Sequence, residues 1–208
     1  MKEGKVEALA NWQDGSFRAI TFDRHLFYPL LDKRDESLPF TWSPMVFDYT
    51  AKGESSEVDF IIDLQEYINS LKGKNILGNH QLYLFRNADN KRKGLGFALA
   101  GNFYPDYLLW LLNPETGKQY LSLVDPKGIR NINLDDPKMN FYKEIKSIEE
   151  DLGDDNFSLN SFILSVTAMS DLLNNNATEE ELKNRNILFM NQGKDVYLTE
   201  MFEKILKI

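Results

Sequence analysis

The sequence predicts a mixed α/β domain, in which helices pack on a mixed β-sheet. Apolar residues recur at helical spacing over residues 56–71 and 139–152. Short runs rich in aromatic and branched residues lie between these stretches and after them, which is typical of strands. Of the 208 residues, 42% are hydrophobic, which is enough for a sizeable core. We expect one large domain over residues 51–208, with residues 1–50 as an N-terminal arm or linker packed on it.

Composition narrows the classes of function. The net charge is -8 and the pI is about 4.9, which argues against a free-standing protein that binds nucleic acid by bulk electrostatics. There is no cysteine, so disulfides, thiolate nucleophiles and sulfur-based zinc sites are excluded, and His25 and His80 are the two imidazoles. No apolar run approaches the roughly 18 residues of a membrane span, and the first residues lack a secretory apolar region. We therefore expect a cytoplasmic protein.

The first 50 residues contain short apolar patches, at residues 17–22 and 26–31, which we interpret as strands and loops. Phe40, Trp42 and Phe47 favour an arm packed on the body, because disordered tails are poorer in aromatic residues. The alternative is a join to a further domain.

Residues 56–71 form the clearest predicted helix, which Ser55 or Ser56 can cap. At about 100° per residue, Glu57 falls in the middle of the apolar stripe. The stripe consists of Phe60, Ile61, Leu64, Ile68 and Leu71. A carboxylate in this direction suggests a functional role, although an acid in a first turn also favours the positive end of the helix dipole.

The next predicted elements are a strand at 81–86, a polar basic loop at 87–93, and one or two strands within 97–112. Residues 107–112 are apolar on both faces, so we expect a central strand. Residues 120–124 form the following strand, and Asn113-Pro114 with Thr116-Gly117-Lys118 is turn chemistry between them.

Folding this hairpin symmetrically pairs Asn113 with Lys118 and places Asp106 opposite Asp125. Opposed residues on neighbouring strands have β-carbons about 4.5 to 5.5 Å apart, and two like charges there repel unless something neutralises them. A divalent cation would do so. Alternation along the strand puts Lys127 on the same face as Asp125. The alternative is an off-register pair of surface acids.

The C-terminal part completes the sheet and its helices. A helix at 139–152 has Phe141, Ile145, Ile148 and Leu152 as its apolar stripe, and Gly153 ends it. Residues 158–169 fit either a strand or a helix, and their β-branched and Ser/Thr content favours a strand. A short helix (Glu179 to Asn184), an edge strand (Ile187 to Met190) and a last helix started by Thr199 (Glu200 to Leu206) follow.

Two other patterns carry no site. Gly73 and Gly78 have the spacing of a phosphate-binding loop but lack the Lys-Ser/Thr that follows it, and Gly94-x-Gly96 lacks a third glycine. No serine lies in a nucleophile motif.

Pro105-Asp106 and Asp125-Pro126-Lys127, preceded by Glu57 on a helix, resemble the motif of the PD-(D/E)xK nuclease superfamily. The predicted order helix, strand, strand, strand, helix, strand is the core order of that superfamily. Over roughly residues 20–170 the sequence is more similar still to the C-terminal nuclease domains of type III restriction-type helicase-nucleases. The similar segments are Phe22-Asp23-Arg24-His25-Leu26-Phe27-Tyr28-Pro29-Leu30, Glu57-x-x-Phe60-x-x-Asp63-Leu64, Phe103-Tyr104-Pro105-Asp106-Tyr107-x-x-Trp110-Leu111 and Val124-Asp125-Pro126-Lys127-Gly128.

The resemblance implies a restriction-endonuclease-like core with flanking helices and Mg²⁺- or Mn²⁺-dependent cleavage of DNA. Asp106, Asp125 and the backbone carbonyl of Pro126 would hold the metal, with Glu57 directly or through water, and Lys127 would orient the attacking water. The glutamine that follows the lysine in some branches has no counterpart in residues 140–150, which speaks against an exonuclease branch. These residues contain no helicase motor, so we expect a helicase or translocase partner or domain.

Basic residues near the hairpin are candidates for binding DNA despite the acidic total, because local field can differ from net charge. They are Arg86, Lys91, Arg92, Lys93, Lys118 and Arg130. Two alternatives stay open: a non-catalytic interaction or DNA-docking module with the nuclease fold, and an unrelated α/β domain in which Asp106 and Asp125 do not meet.

Overall fold

The computed structural model describes residues 17–22, 26–31, 55–87, 104–173 and 176–208. It confirms the mixed α/β class. Strands β1 (Phe17–Phe22) and β2 (Leu26–Leu31) form an antiparallel pair at the two predicted patches, and this pair lies against the first helix and β3. Phe40, Trp42 and Phe47 lie outside the described residues.

A five-stranded mixed sheet forms the centre of the domain. Its strands are β3 (Gln81–Arg86), β4 (Tyr107–Leu112), β5 (Gln119–Lys127), β6 (Phe157–Ser165) and β7 (Ile187–Phe189), in the spatial order β3-β4-β5-β6-β7. The pairings β3–β4 and β4–β5 are antiparallel, whereas β5–β6 and β6–β7 are parallel. The predicted strand at 81–86 is thus present. The strand predicted at 158–169 ends at Ser165, so residues 166–169 lie outside it, and the predicted edge strand is present with Met190 outside β7.

Helices cover the two faces of this sheet unequally. They are α1 (Ser55–Asn69), α2 (Leu71–Leu77), α3 (Pro137–Leu152), α4 (Glu179–Asn184) and α5 (Lys194–Leu206). Helices α1, α2 and α5 share one core with β4 and Val124 of β5, in which Phe60, Tyr67 and Tyr107 are fully buried. Helix α3 covers the opposite face near β5 and β6, where Phe141 and Ile145 pack on Leu123. Among the described helices, none is both long and apolar enough to cross a membrane.

The first predicted helix is correct in its start but is interrupted near its end. Ser70 accepts a hydrogen bond from the Gly73 N–H at 3.0 Å and so caps a second helix, α2. The new helix changes the helical phase, and Leu71, predicted to be buried, is 82% exposed. Gly73 permits this turn, because a β-carbon there would lie 2.0 Å from the Tyr67 carbonyl oxygen.

Strand β4 is central, as predicted, but its two faces differ. Tyr107, Leu109 and Leu111 are fully buried, whereas Trp110 on the other face is 37% exposed. The second face is therefore only half covered among the described residues, because α3 packs over β6 rather than over β3 and β4.

The C-terminal predictions hold with two corrections. Asp136 caps α3, and Gly153 ends it in a left-handed conformation, but Leu152 is exposed instead of buried. Helix α4 has the predicted bounds. Helix α5 begins at Lys194, so Thr199 lies inside the helix and does not start it. Its hydroxyl donates to the Asp195 carbonyl at 2.8 Å, four residues back, instead of capping a helix.

Candidate metal-binding and catalytic site

The β4–β5 hairpin has the register that its turn predicts. Asn113 donates to the Lys118 carbonyl at 2.8 Å, and the Asn113 side-chain oxygen accepts from the backbone of Glu115 and Thr116. The strand pairs run from Leu112 with Gln119 to Tyr107 with Val124. The next pair in this register is Asp106 with Asp125, at the end of the hairpin away from the turn.

Asp125 is the most buried of the predicted site residues. It is 7% exposed, and its Oδ2 forms an ion pair with Lys127, two residues along the same face of β5. Its Oδ1 has no protein partner in the part of the chain that the structure describes. A mostly buried carboxylate with one uncommitted oxygen can accept a further ligand.

Asp106 is half-buried and lies immediately before β4. Its backbone carbonyl accepts a hydrogen bond from the Asn87 N–H at 2.7 Å, which extends the β3–β4 ladder by one residue. Asn87 and Asp106 therefore face each other one residue beyond the β3–β4 pairs.

The first turn of α1 lies at the same end of the sheet. The Ser56 hydroxyl donates to the Pro126 carbonyl at 3.2 Å, and the Tyr107 hydroxyl donates to the Glu57 carbonyl at 3.3 Å. Glu57 itself is half-buried, which places it at the margin of the stripe and not in its buried middle.

Glu57 and Asp125 belong to opposite sides of the sheet. Val124 packs in the core beneath α1, whereas Leu123 packs in the core beneath α3. Because side chains alternate along a strand, Asp125 points to the same side as Leu123. No group of three or more Asp, Glu, His or Cys side chains that could hold a metal ion occurs among the described residues.

The donors at this end of the sheet fit a hard cation by their chemistry. Asp106 and Asp125 supply carboxylate oxygens, and the Pro126 carbonyl has a second lone pair besides the one that Ser56 uses. Oxygen ligands of this kind are those that Mg²⁺ and Mn²⁺ prefer. Lys127 forms an ion pair with Asp125 and so places a cation beside this carboxylate.

The predicted DNA-binding residues are scattered. Arg130 is exposed three residues beyond Lys127, at the acid end. Lys118 lies at the turn end, with its Nζ 5.6 Å from the Tyr120 ring, so the length of β5 separates it from Asp125. Arg86 ends β3, but its side chain is outside the described part, as are Lys91, Arg92 and Lys93 entirely.

A cleft of about 340 Å³ lies beside the acid end, between α1 and the region that follows β6. It is lined by Asp59, Asp63 and Val166, among others, and the Val166 N–H donates to the Lys127 carbonyl at 3.2 Å. Burial raises the pKa of both aspartates, and the charge of Asp63 raises that of Asp59 further. The Tyr197 hydroxyl donates to Asp63 at 2.8 Å. Helical spacing on α1 could have indicated this acidic pair, but not its buried tyrosine partner.

Sequence reasoning also missed Asn87 and Ser56, which contact the backbone on either side of the two acids. Asn87 was predicted to lie in a polar loop, and Ser56 was considered only as a cap. The two residues bond backbone groups 18 and 70 positions away, so no local pattern marks them.

Comparison with protein-family models, curated proteins and solved structures found no match for this chain.

Proposed function

We propose that this chain is a metal-dependent DNA endonuclease domain that hydrolyses phosphodiester bonds with Mg²⁺ or Mn²⁺. The observation that carries the proposal is the β4–β5 register, whose last pair is Tyr107 with Val124, so that Asp106 and Asp125 each lie one residue beyond it, with Lys127 on the face of Asp125. This arrangement supports the earlier resemblance to the PD-(D/E)xK nucleases. A restriction or defence-type helicase-nuclease in the cytoplasm is the setting that the resemblance implies, with a helicase or translocase as partner.

Each residue has a role in this proposal. Asp106, Asp125 and the Pro126 carbonyl would hold the cation, whereas Glu57, on the other side of the sheet, is left out of this ligand set. The cation supplies charge stabilisation and lowers the pKa of a water. Lys127 orients that water and stabilises negative charge on the phosphate, which requires its ammonium to leave Asp125 or to share it. Arg130 would contact the DNA backbone at the same end.

The test is plasmid cleavage in Mg²⁺ or Mn²⁺. Asp106→Asn and Lys127→Ala are expected to abolish nicking and linearisation, because one removes a ligand and the other the activating cation. Asp135→Asn and Lys138→Ala are matched controls, since both side chains are exposed and lie outside the site. Equal cutting by the wild type and both site variants would show that a contaminant cleaves the plasmid.

A second function, a non-catalytic docking module, is favoured by two observations. Lys127 is paired directly with Asp125, and the net charge of -8 opposes tight DNA binding by this chain alone. Calorimetric titration with Mn²⁺ separates the two functions. A dissociation constant in the millimolar range or tighter that disappears in Asp125→Asn supports the enzyme, and no binding by the wild type supports the docking module.

A further inference from the structure

Asn87 is a buried polar residue that the proposed catalytic set does not include. It directly follows β3 and is 6% exposed. Its N–H donates to the Asp106 carbonyl at 2.7 Å, and its side-chain Nδ2 donates to the Pro105 carbonyl at 2.9 Å. One residue thus holds two successive carbonyl groups, those immediately before and at Asp106.

These two hydrogen bonds fix the position of the Asp106 backbone, from which its side chain extends. Asp106 precedes the first residue of β4, so it lies one residue beyond the β4–β5 pairing. A residue at a strand end usually frays. Here the backbone N–H and the side-chain amide of one buried residue each bond one carbonyl, which restrains the peptide on both sides of Asp106. With its backbone restrained, the aspartate has only its own side-chain torsions left to adjust.

The other acid-bearing segment is held in a similar way. Ser56 is also buried, and its hydroxyl donates to the carbonyl of Pro126, between Asp125 and Lys127. Each of the two opposed segments is therefore fixed by one buried side chain from a neighbouring element, β3 on one side and α1 on the other.

We propose that Asn87 is a positioning residue, which holds the Pro105–Asp106 backbone so that the Asp106 carboxylate stays opposite Asp125. The proposal rests on the function proposed above. Asn87 acts through Asp106 and does not contact the reacting atoms. A displacement of about 1 Å in a group that binds the metal is enough to lower turnover strongly, so this restraint has a measurable consequence.

The decisive variant is Asn87→Asp. It keeps the size of the side chain and the backbone N–H, but it replaces the Nδ2 donor with an acceptor that faces the Pro105 carbonyl and so weakens the hold on this segment. Ser122→Ala is the matched control, because Ser122 is fully buried in β5 and its hydroxyl has no hydrogen-bond partner among the described residues. Three quantities are measured for each protein: the exchange protection of the residue 87 amide by NMR, the Mn²⁺ dissociation constant by calorimetry, and kcat and KM for plasmid cleavage.

In Asn87→Asp we expect amide protection to fall at least tenfold, Mn²⁺ binding to weaken about tenfold, and kcat to fall at least tenfold with KM within twofold. Ser122→Ala should match the wild type in all three. A merely structural role of Asn87 would lower thermal stability and leave metal affinity and kcat of the folded fraction unchanged, which would overturn the proposal.

The failure of this inference is distinguishable from that of the proposed function. If the wild type binds Mn²⁺ and cleaves DNA, and Asn87→Asp does both equally well, the positioning role is wrong and the nuclease function stands. If the wild type neither binds Mn²⁺ nor cleaves, the nuclease function is wrong, and the positioning role falls with it.

Discussion

Asp125 and Glu149 are two largely buried carboxylates at opposite ends of the same pair of strands. Asp125 lies near the end of β5, and Glu149 extends from α3 to the beginning of β6. Each forms an ion pair with a lysine, Asp125 with Lys127 and Glu149 with Lys146. Their surroundings otherwise differ.

Glu149 has a full set of protein partners. Its Oε2 accepts from Lys146 at 2.8 Å, from the Ser158 hydroxyl at 3.2 Å and from the Leu159 N–H. Burial alone would raise the pKa of Glu149, but these hydrogen bonds outweigh burial and lower it. The Asp125 carboxylate has Lys127 as its one side-chain partner among the described residues. The difference indicates that Glu149 stabilises the fold, whereas Asp125 has acceptor capacity left for a ligand.

The largest expected effect comes from Asp125→Asn. We expect Mn²⁺ binding to be lost and plasmid cleavage to fall by at least about a hundredfold, since a direct ligand is removed. The free energy of unfolding should change by less than about 1 kcal/mol, because the partly exposed Lys127 pair contributes little and the asparagine oxygen can still accept from Lys127. Urea unfolding and calorimetry measure the two quantities. A large loss of stability with unchanged metal binding would show that Asp125 is a structural residue, and the contrast between Asp125 and Glu149 would be wrong.

Glu149→Gln should show the reverse. Three donors would lose a charged acceptor and keep only a neutral amide oxygen in its place, so we expect a loss of about 2 kcal/mol in the free energy of unfolding. Metal binding and cleavage by the folded protein should match the wild type. If this variant lost cleavage while it remained folded, the division between a structural and a functional carboxylate would be wrong.

Local pattern was sufficient to predict the hairpin that carries the acids. The register depends on the turn at Asn113 to Lys118, and turn residues specify their own geometry through contacts within a few positions. The mixed sheet, the strand order along the chain and the bounds of α4 follow from similarly local signals. The restriction-endonuclease-like core and the roles of Glu57, Asp106, Asp125 and Lys127 stay predictions.

The features that sequence reasoning missed depend on packing between distant segments. Whether Ser56 caps a helix or bonds Pro126 depends on how α1 sits against β5, 70 residues later. Leu71 fits the apolar stripe until Ser70 starts a new helix. Thr199 is a good cap by type, but Tyr67 and the Asp195 carbonyl occupy its hydroxyl inside α5.

The comparison also predicts a pH dependence. The pKa of Glu149 is lowered in the folded protein, so its stabilising contribution is complete above the unfolded pKa of about 4.3 and is lost as the pH falls through the lower folded value. The stability difference between the wild type and Glu149→Gln should therefore shrink as the pH falls below about 4.3. The raised pKa values of Asp59 and Asp63 act with the opposite sign, but equally in both proteins, so they cancel in the difference. Urea unfolding at several pH values measures it, and a difference that grows with acidification would contradict the assignment.

The smallest effect is expected from Lys146→Met, which removes the exposed partner of Glu149. The Lys146 side chain is 36% exposed, and pairs of this kind contribute about 0.5 kcal/mol. The pKa of Glu149 should rise, because Lys146 is the largest cause that lowers it, but Ser158 and Leu159 remain as donors to the carboxylate. The loss should disappear in about 0.5 M salt, because screening weakens exposed pairs. Lys138→Met, on the same helix and exposed, is the control. A loss in Lys146→Met as large as that in Glu149→Gln, and insensitive to salt, would mean that the lysine and not the buried hydrogen bonds holds this carboxylate.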